Sequence, residues 1–209
     1  MRPELTVSSC TGCPTWSSTS WLKGHPRPGA VREVELDGSA RAVGAQHVVS
    51  KTRLVDVTIE RVSVATDEIR QLVAELDRAL TGPYLPEQHH ALSFERLFES
   101  NVKFFAARVD GVAVGCGGVA FYDGFAEVKR MFTQPTARRQ GVAAAVLRHL
   151  EGEAKRAGYS ILRLETGMYQ AEAIGFYLRA GFERCETFGE YLGMSPQAIE
   201  TSVFYEKSI

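Results

Sequence analysis

The chain has 209 residues, with 24 Lys or Arg set against 25 Asp or Glu and a net charge of -1, which is length enough for one domain with a real core plus an appendage. A balance so near neutral carries no electrostatic footprint for DNA or RNA. No apolar run is long enough to cross a bilayer, and the N-terminus lacks the continuous apolar stretch of a secretory signal, so no membrane role and a cytoplasmic location are expected.

Residues 1–54 are rich in Ser, Thr, Gly and Pro and carry a small basic surplus, so they read as a loosely structured extension ahead of one domain over 55–209. Val31 to Leu36, followed by Asp37 and Gly38, has the marks of a short hairpin. Cys10 and Cys13 have two residues between them, but no strand precedes them and no second ligand pair follows, so they read as incidental thiols and no metal is expected. Cys116 and Cys185 lie in apolar runs and read as small core residues.

Alternation at Val57 and Ile59 predicts a first strand, and Thr66, Asp67 and Glu68 supply a cap and an acidic first turn for a helix. Ile69, Leu72, Val73, Leu76 and Leu80 recur on that helix at its own period, and Gly82 with Pro83 stops it. A second helix is predicted from Ser93, with Phe94, Leu97 and Phe98 on one side. The period then changes: Phe104 to Val109, Val112 to Phe121 and Ala126 to Thr133 read as a three-strand antiparallel meander, turning at Asp110-Gly111 and Asp123-Gly124. Val142, Val146, Leu150 and Ala154 mark a helix ending at Gly158, Ile161 to Thr166 a buried strand, and Ala171 to Ala180 a helix closed by Gly181. Phe182 to Phe188 and Thr201 to Glu206 are the last two strands. The order is β-α-α-β-β-β-α-β-α-β-β, a mixed sheet with helices on both faces.

The loop Arg138, Arg139, Gln140, Gly141, between a strand and the helix beginning at Val142 and Ala143, is suited to phosphate. The first amides of a helix lack intrahelical partners and the peptide dipoles add partial positive charge. The pattern Arg-x-x-Gly-x-Ala is neither a Walker motif nor the three-glycine dinucleotide motif. Together with the stretch Ala173, Ile174, Gly175, Phe176, Tyr177, Leu178, Arg179, Ala180, Gly181, Phe182, it resembles the GNAT superfamily of acetyl-CoA-dependent N-acetyltransferases, in that family's motif order and separation. Leu164 to Gly167, Tyr191 and Ser202 to Phe204 are similar to an uncharacterised bacterial subgroup, although Met168, Tyr169 and Gln170 depart from the Arg-Gln-Pro that often follows the glycine there.

The resemblance implies an α/β (α+β) fold with a mostly antiparallel central sheet, a splayed central strand pair formed by Ala126–Thr133 and Ile161–Thr166, and acetyl-CoA as co-substrate. It implies that Met131, Phe132 and Thr133 bind the pantetheine arm and that Arg138, Arg139, Gln140, Gly141, Val142 and Ala143 bind the pyrophosphate. An amide near Met131 or Phe132 would hold the oxyanion. The implied acceptor is a primary amine of a small molecule or peptide. Sheet edges near the C-terminus often pair in such proteins, so a homodimer is open.

An alkylammonium with a pKa near 10.4 must shed a proton before it can attack. In the resemblance Glu127 faces the cleft as the base, directly or through water; otherwise it is a surface glutamate paired across the sheet. Glu87, His89 and His90 are alternative bases. Tyr177 is implied as the acid that protonates the leaving thiolate, or else it is a helix aromatic packed beside Ile174. No nucleophile motif is present, so direct attack in a ternary complex is expected rather than an acyl-enzyme. Two other readings compete: a non-catalytic acyl-CoA-binding or sensing module, and a transferase of a longer acyl group. The segments 82–90 and 188–199 are expected to form a partly aromatic acceptor pocket.

Overall fold

A computed structural model describes residues 55–80 and 84–209. The expected extension over 1–54, its hairpin, Cys10 and Cys13, and the Gly82-Pro83 stop lie outside the described residues. From Thr58 onward the chain forms β1 (Thr58–Val62), α1 (Asp67–Leu80), β2 (Val102–Val109), β3 (Val112–Phe121), β4 (Ala126–Thr133), α2 (Val142–Arg156), β5 (Ile161–Gly167), α3 (Ala171–Arg179), β6 (Glu183–Arg184), α4 (Pro196–Ile199) and β7 (Ser202–Ser208). The strands make one seven-stranded sheet in the order β1-β2-β3-β4-β5-β7-β6. Only β4 and β5 pair in parallel; every other neighbouring pair is antiparallel.

Two faces of the sheet are covered by two apolar layers. Ile69, Leu72, Val73 and Leu76 of α1 bury against Phe104, Ala106, Cys116 and Phe132, while Val142, Val146, Leu147 and Leu150 of α2 bury against Phe105, Val119, Val128 and Leu164. Spacing at 3.6 residues on each helix meets spacing at two on each strand, so each element hands one stripe to the core. The side-chain oxygen of Thr66 accepts from the Ile69 amide, which caps α1 as its sequence predicts.

Two predicted elements come out shorter. The helix expected from Ser93 is a single 3-10 turn, Glu95–Phe98. Leu97 is the one residue of that turn to bury fully, and β2 begins at Val102, too soon for a helix to repay its nucleation. The strand expected over Phe182–Phe188 is the two-residue β6. After Cys185 the chain leaves the sheet, which lets Phe188 and Tyr191 bury with Phe125 and Phe204 in a third apolar cluster.

In the middle of β4 the pairing with β3 slips: Gly118 faces Lys129 and Cys116 faces Phe132, so Arg130 and Met131 together stand opposite Gly117. Arg130 adopts φ 57, a left-handed conformation rarely taken by an L residue. This bulge resets the alternation along β4. Met131 joins the α2 face and Phe132 the α1 face, immediately beside the place where β4 leaves β5.

Candidate active site

β4 and β5 pair at Ala126 with Leu162, Glu127 with Arg163 and Val128 with Leu164, and the pairing goes no further. Both strands continue, β4 to Thr133 and β5 to Gly167, with their outer edges held by β3 and β7. The two inner edges therefore diverge and leave peptide N–H and C=O groups facing a gap, where a ligand with amide groups can satisfy them. A cavity of about 650 Å³ fills this gap, its walls including Lys129 to Thr133 from one strand and Glu165 to Gly167 from the other. That is the size of an ordinary small-molecule site.

On the α2 face the wall includes Arg138, Arg139 and Ala143. Gly141 caps α2 with φ 85, and a Cβ built there would meet nothing within 4 Å. The glycine is thus required by the left-handed backbone that turns the loop into the helix, and not by crowding. Gln140, Gly141 and Val142 are absent from the cavity wall. Gln140 donates from Nε2 to the Thr136 carbonyl at 2.9 Å, and the Val142 side chain is buried in the core, so what these positions can offer an anion is backbone N–H. Arg138 forms an ion pair with Glu172 at 3.2 Å, linking the loop to the start of α3.

Tyr177 also lines the cavity, 7% exposed, with its ring 5.3 Å from that of Phe176 and 5.7 Å from that of Phe182. Burial, and then the nearby Glu165 carboxylate, push its phenol above the ordinary range. It is therefore neutral and proton-bearing at any physiological pH, the state a proton donor needs.

Glu127, expected to face the cleft, is 1% exposed and stands behind the wall. Alternation puts it and Lys129 on the same face of β4, and Lys129 Nζ lies 2.8 Å from Glu127 Oε1. Tyr191 closes a triangle. Its hydroxyl donates to Glu127 Oε1 at 2.9 Å and accepts from Lys129 Nζ at 2.8 Å. Burial pushes the Glu127 carboxyl up, with Lys129 and Tyr191 pulling against it. Lys129 and Tyr191 do line the cavity, so Glu127 reaches it through them. Two carboxylates border the cavity: the exposed Glu172 beside Arg138, and the less exposed Glu165, which accepts a hydrogen bond from Ser202 Oγ at 2.6 Å. Burial pushes Glu165 up, and Ser202, His90 and Lys129 oppose the shift.

Glu165, Lys129 and Ser202 are thus brought to the site by strand register, although the residues stood in stretches already singled out. Of the alternative bases, His89 and His90 border the cavity, and His90 Nε2 donates to the Ala198 carbonyl at 2.9 Å. Glu87 is exposed on the turn Pro86–Gln88, away from the wall. Of segments 82–90 and 188–199, as far as these are described, Tyr84, His89, His90 and Tyr191 line the cavity, whereas Leu85 and Met194 do not. Cys116 is fully buried and its thiol is pushed up to about 12 by burial, a poor nucleophile. No described helix is long and apolar enough to cross a membrane.

The acetyltransferase (GNAT) family model matches residues 69–182. An IAA acetyltransferase of Azospirillum brasilense is 43% identical over 156 residues, which cover 74% of this chain and 99% of that protein. YsnE of Bacillus subtilis (strain 168), an uncharacterised N-acetyltransferase, is 35% identical over 63% of this chain and 89% of its own length. Among solved structures, a PaiA N-acetyltransferase of Thermoplasma acidophilum in complex with coenzyme A superposes with a TM-score of 0.57 at 18% identity, covering 73% of this chain and 99% of that one.

Proposed function

The chain belongs to the GNAT family and is an acetyltransferase, and from that premise we propose that it moves an acetyl group from acetyl-CoA to a primary amine by direct attack in a ternary complex. The observation that carries this reading is the divergence of β4 and β5 after Val128 and Leu164. A thioester arm laid in that gap meets the free peptide groups of Met131, Phe132 and Thr133, and its diphosphate falls toward Arg138, Arg139, Ala143 and the amides of Gln140, Gly141 and Val142. The coenzyme A held by the PaiA protein of the same fold supports that donor.

In this reading Tyr177 gives its proton to the departing thiolate. A thiol with a pKa near 8.5 is a better leaving group when protonated than as a bare anion in a half-dry cavity. Glu127 fixes the charge of Lys129 and the orientation of the Tyr191 hydroxyl, which together shape the cavity floor. The raised thiol of Cys116, away from the wall, supports direct attack over a cysteine acyl-enzyme.

The test is thiol release from acetyl-CoA by the full chain with a panel of primary amines, with IAA added because of the relative's name. Amine-dependent release supports the reading. Coenzyme A binding by calorimetry without release for any amine sinks it. Rapid quench with labelled acetyl-CoA and no acceptor decides the route, since label retained on the protein would overturn direct attack.

A further inference from the structure

The cavity reaches both faces of the sheet, and on the α1 face its charges are unequally answered. Lys129 is held by Glu127 at 2.8 Å, and Arg130 Nη1 by Asp77 of α1 at 2.6 Å. Both cations have a carboxylate of their own before any ligand arrives. Glu165 differs, because the hydrogen bond it accepts comes from the neutral hydroxyl of Ser202. The rest of this wall, among the described residues, sets apolar and aromatic side chains, including Leu76, Leu80, Leu92, Tyr84 and Tyr191, beside the polar Gln88, His89, His90 and Thr201, and it holds no second carboxylate.

We propose that the acceptor is a monoamine, one ammonium head on an apolar or aromatic body, that docks its head on Glu165 and gives that carboxylate its proton. The proposal rests on the N-acetylation reading and names the acceptor class for the same site. An amine that also carried a carboxylate would bring it among Lys129 and Arg130, whose Nζ and Nη1 are already paired, so that only the buried Arg130 Nε is left to receive it, near the negative charges of Glu127 and Glu165. A second ammonium would find leucine side chains and neutral polar groups there but no second carboxylate. Either misfit buries a charge without compensation.

The step balances. Glu165 takes one proton from the ammonium and becomes the neutral acid. The freed amine attacks the thioester carbonyl, the C–N bond forms, the C–S bond breaks, and sulfur receives the Tyr177 proton. The second proton of the attacking nitrogen restores Tyr177, and Glu165 returns its own to solvent. The titratable groups that face Glu165 are Lys129 from β4, His90 from the segment after α1, Tyr177 from α3 and Tyr191, with uncharged Ser202 on β7. Burial raises the Glu165 carboxyl, which makes it a stronger base than an exposed carboxylate.

The experiment uses matched probes with the full chain and acetyl-CoA. Phenethylamine and phenylalanine differ by one carboxylate, and hexylamine and hexamethylenediamine by one ammonium. The expected result is a kcat/KM about tenfold or more higher for the monoamine of each pair. Glu165→Gln should lower kcat/KM for phenethylamine by about 10²-fold and remove the acid limb of its pH profile, with coenzyme A affinity unchanged, and Glu165→Asp should restore the limb and part of the rate. Preference for phenylalanine or the diamine, or a Gln variant with wild-type rate and pH profile, overturns the proposal and leaves N-acetylation standing. Absence of release from every amine despite coenzyme A binding is the distinct outcome in which the N-acetylation reading fails and takes this proposal with it.

Discussion

The hydroxyl of Tyr191 donates to Oε1 of Glu127 across 2.9 Å, tying strand β4 to a turn 64 residues later in the chain. Lys129 bonds to both, so three side chains hold one another in a buried triangle under the cavity. Removing one corner leaves the others unsatisfied.

Lys129→Met is the sharpest test of the triangle. It strands the Glu127 carboxylate, at a cost of about 3–5 kcal/mol near neutral pH. A carboxyl whose folded pKa is raised stabilises the fold below its unfolded value near 4.5 and loses that contribution as pH rises. The denaturant midpoint of the variant should therefore fall further below wild type at pH 8 than at pH 5, and Glu127→Gln in the same background should recover part of the loss at pH 8. A gap that does not change with pH would show that Glu127 is not the stranded charge.

Tyr177→Phe should lower kcat on the order of 10²-fold while coenzyme A affinity stays at the wild-type value. The ring packs between Phe176 and Phe182 and remains in place, so the hydroxyl alone is removed. An unchanged rate removes the assignment of Tyr177 as proton donor.

Gly167 tests the wall of the acceptor half. A Cβ there would collide with the hydroxyl end of Tyr84, the far end of a side chain and so the part that has to give way. Gly167→Ala should displace Tyr84, raise KM for the acceptor several-fold and leave coenzyme A binding alone. Equal losses in both, measured by steady-state kinetics and calorimetry, would mean that β5 itself has moved.

Arg138 and Glu172 meet at the mouth of the cavity over 3.2 Å, with both side chains well exposed. An exposed pair of this kind contributes little stability, about 0–1 kcal/mol. Glu172→Gln should release Arg138 toward an incoming diphosphate and tighten coenzyme A binding, most visibly at low salt, whereas Arg138→Ala should weaken it. Opposite signs in the calorimetric affinities would detach this loop from the donor.

Glu153 on α2 reports on acid stability. Burial raises its carboxyl, but hydrogen bonds from Lys103 and Arg156 outweigh that and hold it at about 2. A lowered folded pKa stabilises above the unfolded value of 4.5 and is lost as pH falls toward about 2. Glu153→Gln should therefore lower Tm at pH 7 by about 2–4 °C, for roughly 1 kcal/mol, and the gap between the two proteins should shrink below pH 4.5 and close toward about pH 2.

The meander, α1, α2, α3 and the helix-capping loop were legible because each is written in local periodicity: leucines and valines at helical spacing, alternation between turns at Asp110-Gly111 and Asp123-Gly124, a glycine at the entry to α2. The turn Glu95–Phe98 and the short β6 were not. Their residues have the right types, but what set their length was the early start of β2 and the burial of Phe188 and Tyr191 elsewhere. Tyr177, Arg138, Arg139 and Ala143 line the cavity where motif and position had set them, while Gln140, Gly141 and Val142 do not. Glu127 was readable as a carboxylate on the right strand, while its place behind Lys129 and Tyr191 was not.

Sequence by itself determined most of the elements, their order and the family, since these depend on neighbours a few residues apart along the chain. Tertiary structure alone decided that Glu165, and not Glu127, borders the cavity. The Arg130 bulge resets the alternation of β4, the break after Val128 and Leu164 opens its edge, and β7 brings Ser202 to Glu165. Those are register relationships between distant strands, and a one-residue slip in any of them would turn a different set of side chains toward the gap.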